Sequence, residues 1–275
     1  MYFSIHSYFK RLRATILGVL ILSILPPLVF GINTQLEPEV WLYTIIGLPE
    51  PYPIFPEIYE KFLYSMTIFF SALLLGLLSA MILTFTTSLL PRFIQRMITH
   101  LLTILESLPD LFIVVVLQVF VVYLYKQTGV VIYFYNDYEN PIYLLPILVL
   151  SFVPAIQLFK ITFLLMREEQ HKSYVTVARA LGLGRFYIMM RHVFRNVLSS
   201  LCQYSKTIVV FMLSNLFIVE YVYNLNGLMY LLMNTKGGAA FLVTAMFIAI
   251  PFSVLFELAD NFKMASNNDN KESAA

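Results

Sequence analysis

Residues 62–86 read FLYSMTIFFSALLLGLLSAMILTFT, an apolar run that carries no charged side chain. At 1.5 Å per helical residue such a run covers the ~30 Å hydrocarbon layer of a bilayer. Lipid cannot satisfy exposed backbone amides, so a segment of this kind spans as a helix. Working outward, five further apolar stretches of comparable character appear, at about 14–31, 101–125, 142–166, 201–222 and 239–259. The composition agrees: 59% of the 275 residues are hydrophobic and 12% charged, against ~45–50% and ~25% in soluble domains. The expected fold is an all-α polytopic membrane protein with six transmembrane helices.

Charge placement sets the expected orientation. With the N-terminus inside, the inside segments hold thirteen Lys and Arg and the outside segments only Lys61, Lys126 and Lys236. By the positive-inside rule both termini are cytoplasmic. Lys10, Arg11 and Arg13 precede the first run in the manner of a signal peptide, but the bulky Leu28-Val29-Phe30-Gly31 offers no small-x-small cleavage site. That run is therefore expected to remain as the first span. Three regions follow: residues 1–61 with the first span and an outer loop rich in proline (Pro38, Pro49, Pro51, Pro53, Pro56), a membrane domain at 62–260, and a polar tail at 261–275. The single Cys202 excludes an internal disulfide framework, and the four scattered histidines make no metal-ligand pattern. No metal or other cofactor is expected. The aromatic residues suit packing and interface belts, with no basic-aromatic platform for nucleic acid.

One connection is too long for simple joining. Residues 167–200 form a basic inside segment whose later part reads SYVTVARALGLGRFYIMMRHVFRNVLSS from Ser173. Residues 173–181 suit a short helix. Gly182 and Gly184 then break it. A second amphipathic run follows, with Phe186, Met189, Met190, Val193 and Phe194 apolar and Arg185, Arg191, His192 and Arg195 polar. The expected result is a compact knob able to transmit force to a soluble partner.

This stretch resembles the EAA-type loop of binding-protein-dependent ABC importer permeases, closest to the branch that serves di- and oligopeptides or nickel. Tyr174, Val175, Ala178, Arg179, Ala180, Gly182 and Leu183 match its first part; Arg191, His192, Arg195, Asn196 and Leu198 match its second. Residues 219–228, VEYVYNLNGL, are similar to the family's Val-Glu-x-Val-Phe-x-x-Pro-Gly-Leu, and Ser107-Leu108-Pro109 sits where the family often has Ser-Ile-Pro. The chain departs from the pattern at Val177 and Leu181, where the branch has Thr and Lys, at Ser200, where a proline usually follows the loop, and at Asn226, where it has Pro. The resemblance implies a coupling helix that docks on an ATPase subunit through Tyr174, Val175, Ala178, Arg179, Ala180, Gly182, Leu183 and Arg185, with Arg191, His192, Arg195 and Asn196 supporting the loop. Arg179 and Arg185 would supply charge-assisted contacts, with Tyr174 and Phe186 as anchors. It also implies a location in a bacterial inner membrane, two ATPase subunits, a second and related permease, and an extracytoplasmic solute-binding protein. No phosphate loop of the form Gly-x-x-x-x-Gly-Lys-Ser/Thr occurs in the chain, so the expectation is a non-enzymatic subunit powered by others.

Charged groups at membrane depth are costly and mark pathways or pairs. Glu106, Asp110, Lys206 and Glu220 are the pathway candidates, with Lys160 an available partner for Glu106 or Asp110. Two other functions fit a polytopic chain. An ion-gradient-driven carrier or channel has no need of the long basic loop. An intramembrane protease of the paired-glutamate kind would use Glu168-Glu169, but Ser173 stands where its arginine belongs, and no histidine follows His192.

Overall fold

The computed structural model describes residues 5–24, 57–129, 141–234 and 241–257. Helix is the only regular structure among these residues. The helices are α1 (Ile5–Leu22), α2 (Glu57–Leu89), α3 (Arg92–Glu106), α4 (Asp110–Thr128), α5 (Leu144–Glu169), α6 (Ser173–Ala180), α7 (Arg185–Ile188), α8 (Phe194–Val222) and α9 (Leu228–Asn234), followed by α10 (Phe241–Glu257). A π-turn, Met189–Val193, joins α7 to α8.

Three of them, α2, α4 and α5, are long and apolar enough to cross a membrane, and α10 is apolar but shorter. The second and fourth expected spans fall on α2 and α5, the fifth on α8, and the sixth on α10. The first overlaps α1, but its second half, the proline-rich loop and the polar tail lie outside the described residues, as does the side chain of Cys202.

The third expected span needs correcting. Residues 101–125 are not one helix: α3 ends at Glu106, the chain breaks through Ser107-Leu108, and α4 restarts after Pro109. The cause is local. A proline disfavours the helical conformation at the residue before it, and Pro109 lacks the N–H that a continuing helix would need; at Pro154, inside α5, the same bias is overridden. Arg92 and Arg96, expected in a connection, lie in the first turns of α3.

The chain divides into two compact units, with boundaries at Thr67/Ile68 and Val219/Glu220. In the unit holding residues 68–219, α5 is central. Leu150, Leu158, Phe159 and Met166 are fully buried on it, and α3 and α4 both pack against it. Gly76 of α2 meets α5 closely: a Cβ there would lie 3.4 Å from the Ser151 carbonyl oxygen. Small residues at such a crossing let membrane helices approach. In the other unit, Phe62 on the first turns of α2 meets Phe247 of α10 edge to face, with centroids 5.6 Å apart.

Candidate functional site

The basic loop folds into the expected knob. α6 buries Val175 and Ala178 and packs the half-buried Tyr174 beside them. They join Met166, Ile188, Met189, Val193 and Val197 in one apolar core, with Phe85 and Phe194 edge to face at 5.2 Å against it. Each such side chain withdrawn from water contributes about 1.5–3 kcal/mol. α6 then stops in a Schellman cap. Gly182 takes φ +78°; its N–H donates to the Arg179 carbonyl at 3.0 Å, and the Leu183 N–H donates to the Ala178 carbonyl at 3.3 Å. The left-handed position explains the glycine.

Polar struts fasten the knob to the helices beside it. Glu169, the last residue of α5, accepts a hydrogen bond from the Tyr174 hydroxyl at 2.9 Å and one from Asn196 Nδ2 at 3.1 Å. Its other oxygen pairs with Lys172 at 2.6 Å. Burial, reinforced by the Glu169 carboxylate, pushes the Tyr174 hydroxyl up to about 12, so it remains a donor throughout the physiological range. Arg185 Nη2 donates to the Ser88 carbonyl at 2.7 Å, in the last turn of α2. That carbonyl has no partner within its own helix, so the arginine caps α2 while holding the start of α7.

The structure thus brings Tyr174, Val175, Ala178, Arg179, Ala180, Gly182, Leu183 and Arg185 onto one body, with Arg191, His192, Arg195 and Asn196 on its return. Their duties differ. Val175 and Ala178 are core, and Tyr174 is half-buried with its hydroxyl turned to Glu169. His192 packs its ring edge against Tyr187 at 5.9 Å. The outward face carries Arg179, Val177 at 58% exposure, Leu181 at 75% and Phe186 at 56%. Val177 and Leu181 are the two departures from the family pattern on α6. Both point outward and make that face more apolar.

The second matched stretch builds a clamp. α8 also ends in a Schellman cap, here with Asn224 at φ 51°. The Leu225 N–H donates to the Glu220 carbonyl at 2.8 Å and the Asn224 N–H to that of Tyr221 at 3.3 Å. The fully buried Glu220 carboxylate accepts from the Ser65 hydroxyl at 2.6 Å and from the Tyr230 N–H at 3.0 Å. Ser65 in turn accepts from the Leu228 N–H at 2.7 Å. Two amides in the first turn of α9 are met in this way. Gly227 is dictated by space: a Cβ there would collide with the Glu220 carboxylate. Asn226, standing where the family has proline, accepts a hydrogen bond from Lys61, which also pairs with Glu57 at 3.0 Å.

Of the pathway candidates, Glu106 is ion-paired with Lys160, Lys206 is half-buried on α8, and Glu220 is in the clamp. The Asp110 side chain lies outside the described residues. Sequence reasoning did not single out Glu169 or Ser65 as structural partners. The only local signal for the first is the i,i+3 spacing of Glu169 and Lys172. For the second there is none, since Ser65 and Glu220 meet only through folding.

No curated protein matches the chain. Residues 72–262 match the family model described as "Binding-protein-dependent transport system inner membrane component", a stretch that contains the knob and the whole of residues 219–228. The chain belongs to the family of binding-protein-dependent transport system inner membrane components.

Proposed function

We propose that this chain is the permease subunit of an ATP-binding cassette importer in a bacterial inner membrane, and that α6 is its coupling helix. The observation that carries the proposal is the knob's division of labour. Its inner residues, Val175, Ala178 and Met189, are locked into a core continuous with Met166 of a spanning helix, while Arg179, Val177, Leu181 and Phe186 are left facing out. A rigid body with an exposed face of mixed charge and apolar anchors suits docking on a soluble subunit. Its fastening to α5 through Glu169 and to α2 through Arg185 lets movement of the partner be passed to the spans as rigid-body motion. Six spans, with both termini cytoplasmic, place the knob on the ATPase side. Two ATPase subunits, a second permease and an extracytoplasmic binding protein complete the assembly, and the loop's likeness to the peptide and nickel branch favours a di- or oligopeptide as solute.

The test is site-directed cross-linking in membranes of the native cell. A cysteine at Leu181, in a chain whose Cys202 is replaced by serine, should cross-link to a nucleotide-binding protein, with a yield that changes between ATP-bound and nucleotide-free states. Gly182→Pro and Arg179→Glu should abolish transport while the chain stays inserted. Cross-linking to no nucleotide-binding protein, or full transport by both variants, overturns the proposal.

A further inference from the structure

Beside the knob is a cleft of about 780 Å³ whose walls carry Arg92, Arg96, Arg167, Arg179 and Arg185, together with His171. These residues come from α3, the end of α5, and the α6–α7 region. Among the described lining residues there is no Asp or Glu, and none of the five arginines is ion-paired with a described carboxylate. Five arginines lining one cleft make it strongly cationic, and although Arg185 already donates to the Ser88 carbonyl, the others can hold a multiply charged anion through bidentate, charge-assisted hydrogen bonds.

The surroundings say which anion. Thr99, Phe163 and Arg167 also line a second groove beside it, of about 820 Å³, where Ile161, Leu164 and Ile208 supply an apolar wall. Of its charged members, Glu106 and Lys160 neutralise each other, and Arg167 is the one it shares with the cationic cleft. The cationic cleft lies next to Leu90 and Pro91, where α2 has ended, and at Arg167 in the last turn of α5, the level at which spanning helices leave the hydrocarbon. α3 fits the same level. Its Arg92, Gln95, Arg96 and Thr99 line the cleft, while Phe93, Met97, Leu101 and Ile104, on the opposite face, are all exposed, Phe93 at 79%. A helix with that division lies in the plane of the interface.

A cationic pocket that shares a wall with a largely apolar groove matches an amphiphile with a phosphate head and an acyl tail. We infer that this composite cleft is a binding site for an anionic phospholipid of the inner leaflet, its phosphate held by Arg92, Arg96 and Arg167 and one chain lying along Ile161 and Leu164. The coupling loop borders the site through Arg179 and Arg185, so the lipid bridges the membrane surface and the knob. The inference needs only that the chain is embedded in a bilayer. It does not depend on the transported solute or on the identity of the ATPase.

The full chain, purified in mild detergent and followed by native mass spectrometry, should retain phosphatidylglycerol or cardiolipin in preference to phosphatidylcholine. The double variant Arg96→Gln/Arg167→Gln should retain at least about tenfold less, from the ~1 kcal/mol that each basic residue near an anionic surface supplies. Arg195→Gln, which removes an exposed arginine outside the cleft, should retain as much as the parent. Ile161→Trp, which fills the groove and leaves every arginine in place, should also reduce retention, and thermal unfolding of each variant confirms that it is folded. Glycerol phosphate or inorganic phosphate displacing the lipid at equal concentration would show a free-anion site and overturn the inference. So would equal retention by the double variant, or a double variant that keeps its lipid but loses a co-purifying ATPase, since the cleft would then be a protein-docking surface.

Discussion

The knob and the clamp both match family motifs, and both begin with a helix ended by a Schellman cap, yet they spend their polar residues in opposite ways. In the clamp, Glu220 and Ser65 are fully buried and aimed at backbone amides of the same unit. In the knob, Arg179 faces out and the core positions are apolar, while Arg185 and Tyr174 reach across to the ends of neighbouring helices. Even the glycines differ: a Cβ on Gly182 would meet open space, whereas one on Gly227 of the clamp would collide with Glu220. A motif residue can recur because the chain needs it for its own packing or because something else must touch it, and burial separates the two cases. The clamp holds the turn between α8 and α9; the knob offers a surface.

That contrast can be broken by experiment, beginning where the largest loss is expected. Glu220→Ala removes the acceptor for the Ser65 hydroxyl and the Tyr230 amide in a buried setting, and should cost about 3 kcal/mol or more. Thermal unfolding of the detergent-purified chain measures it, and an unchanged melting temperature would remove the clamp from the account. Gly227→Ala forces a methyl group onto the same carboxylate and should cost about 1–3 kcal/mol. If Glu220→Ala combined with Gly227→Ala is no worse than Glu220→Ala alone, the steric reading of Gly227 gains direct support; full additivity would count against it. Gly182→Ala sets a side chain in the left-handed region and should cost about 1–2 kcal/mol, while Asn224→Gly at the matching cap of α8 should be neutral or slightly stabilising. Smallest of all, Leu181→Ser should move stability by less than about 0.5 kcal/mol yet reduce ATP-dependent transport. Transport at the parental rate in that variant would make the outer face of the knob ordinary surface.

Much of the fold is legible along the chain because hydropathy and glycine placement are local signals. Residues 62–86 fall within α2, residues 142–166 overlap α5 from Leu144 onward, and the short helix before Gly182 is α6. The expected span at 101–125 shows the limit. Its hydropathy is nearly continuous, and Pro109 is a weak signal of the break there, because Pro154 is carried inside the continuous α5. The site is less legible. Tyr174 reads as an exposed anchor until Glu169 is found beside it, and Glu220 reads as a pathway carboxylate until Ser65 is. Partners brought together from distant parts of the chain leave no mark in the spacing of either, whereas Gly182 is conspicuous because backbone geometry alone demands it.

The π-turn at Met189–Val193 has a bearing on how this protein can evolve. Such a turn holds about one residue more than an α-helical turn, and it lies between the knob and the longest stretch of α8. An extra residue in a regular helix would swing everything before it by about 100° relative to everything after; the wide turn absorbs that residue and keeps the two sides in phase. Arg185 therefore keeps its reach to Ser88, and the outward face of the knob keeps its aim. Loss of a single residue within this turn should be tolerated far better than loss of one from the regular part of α8.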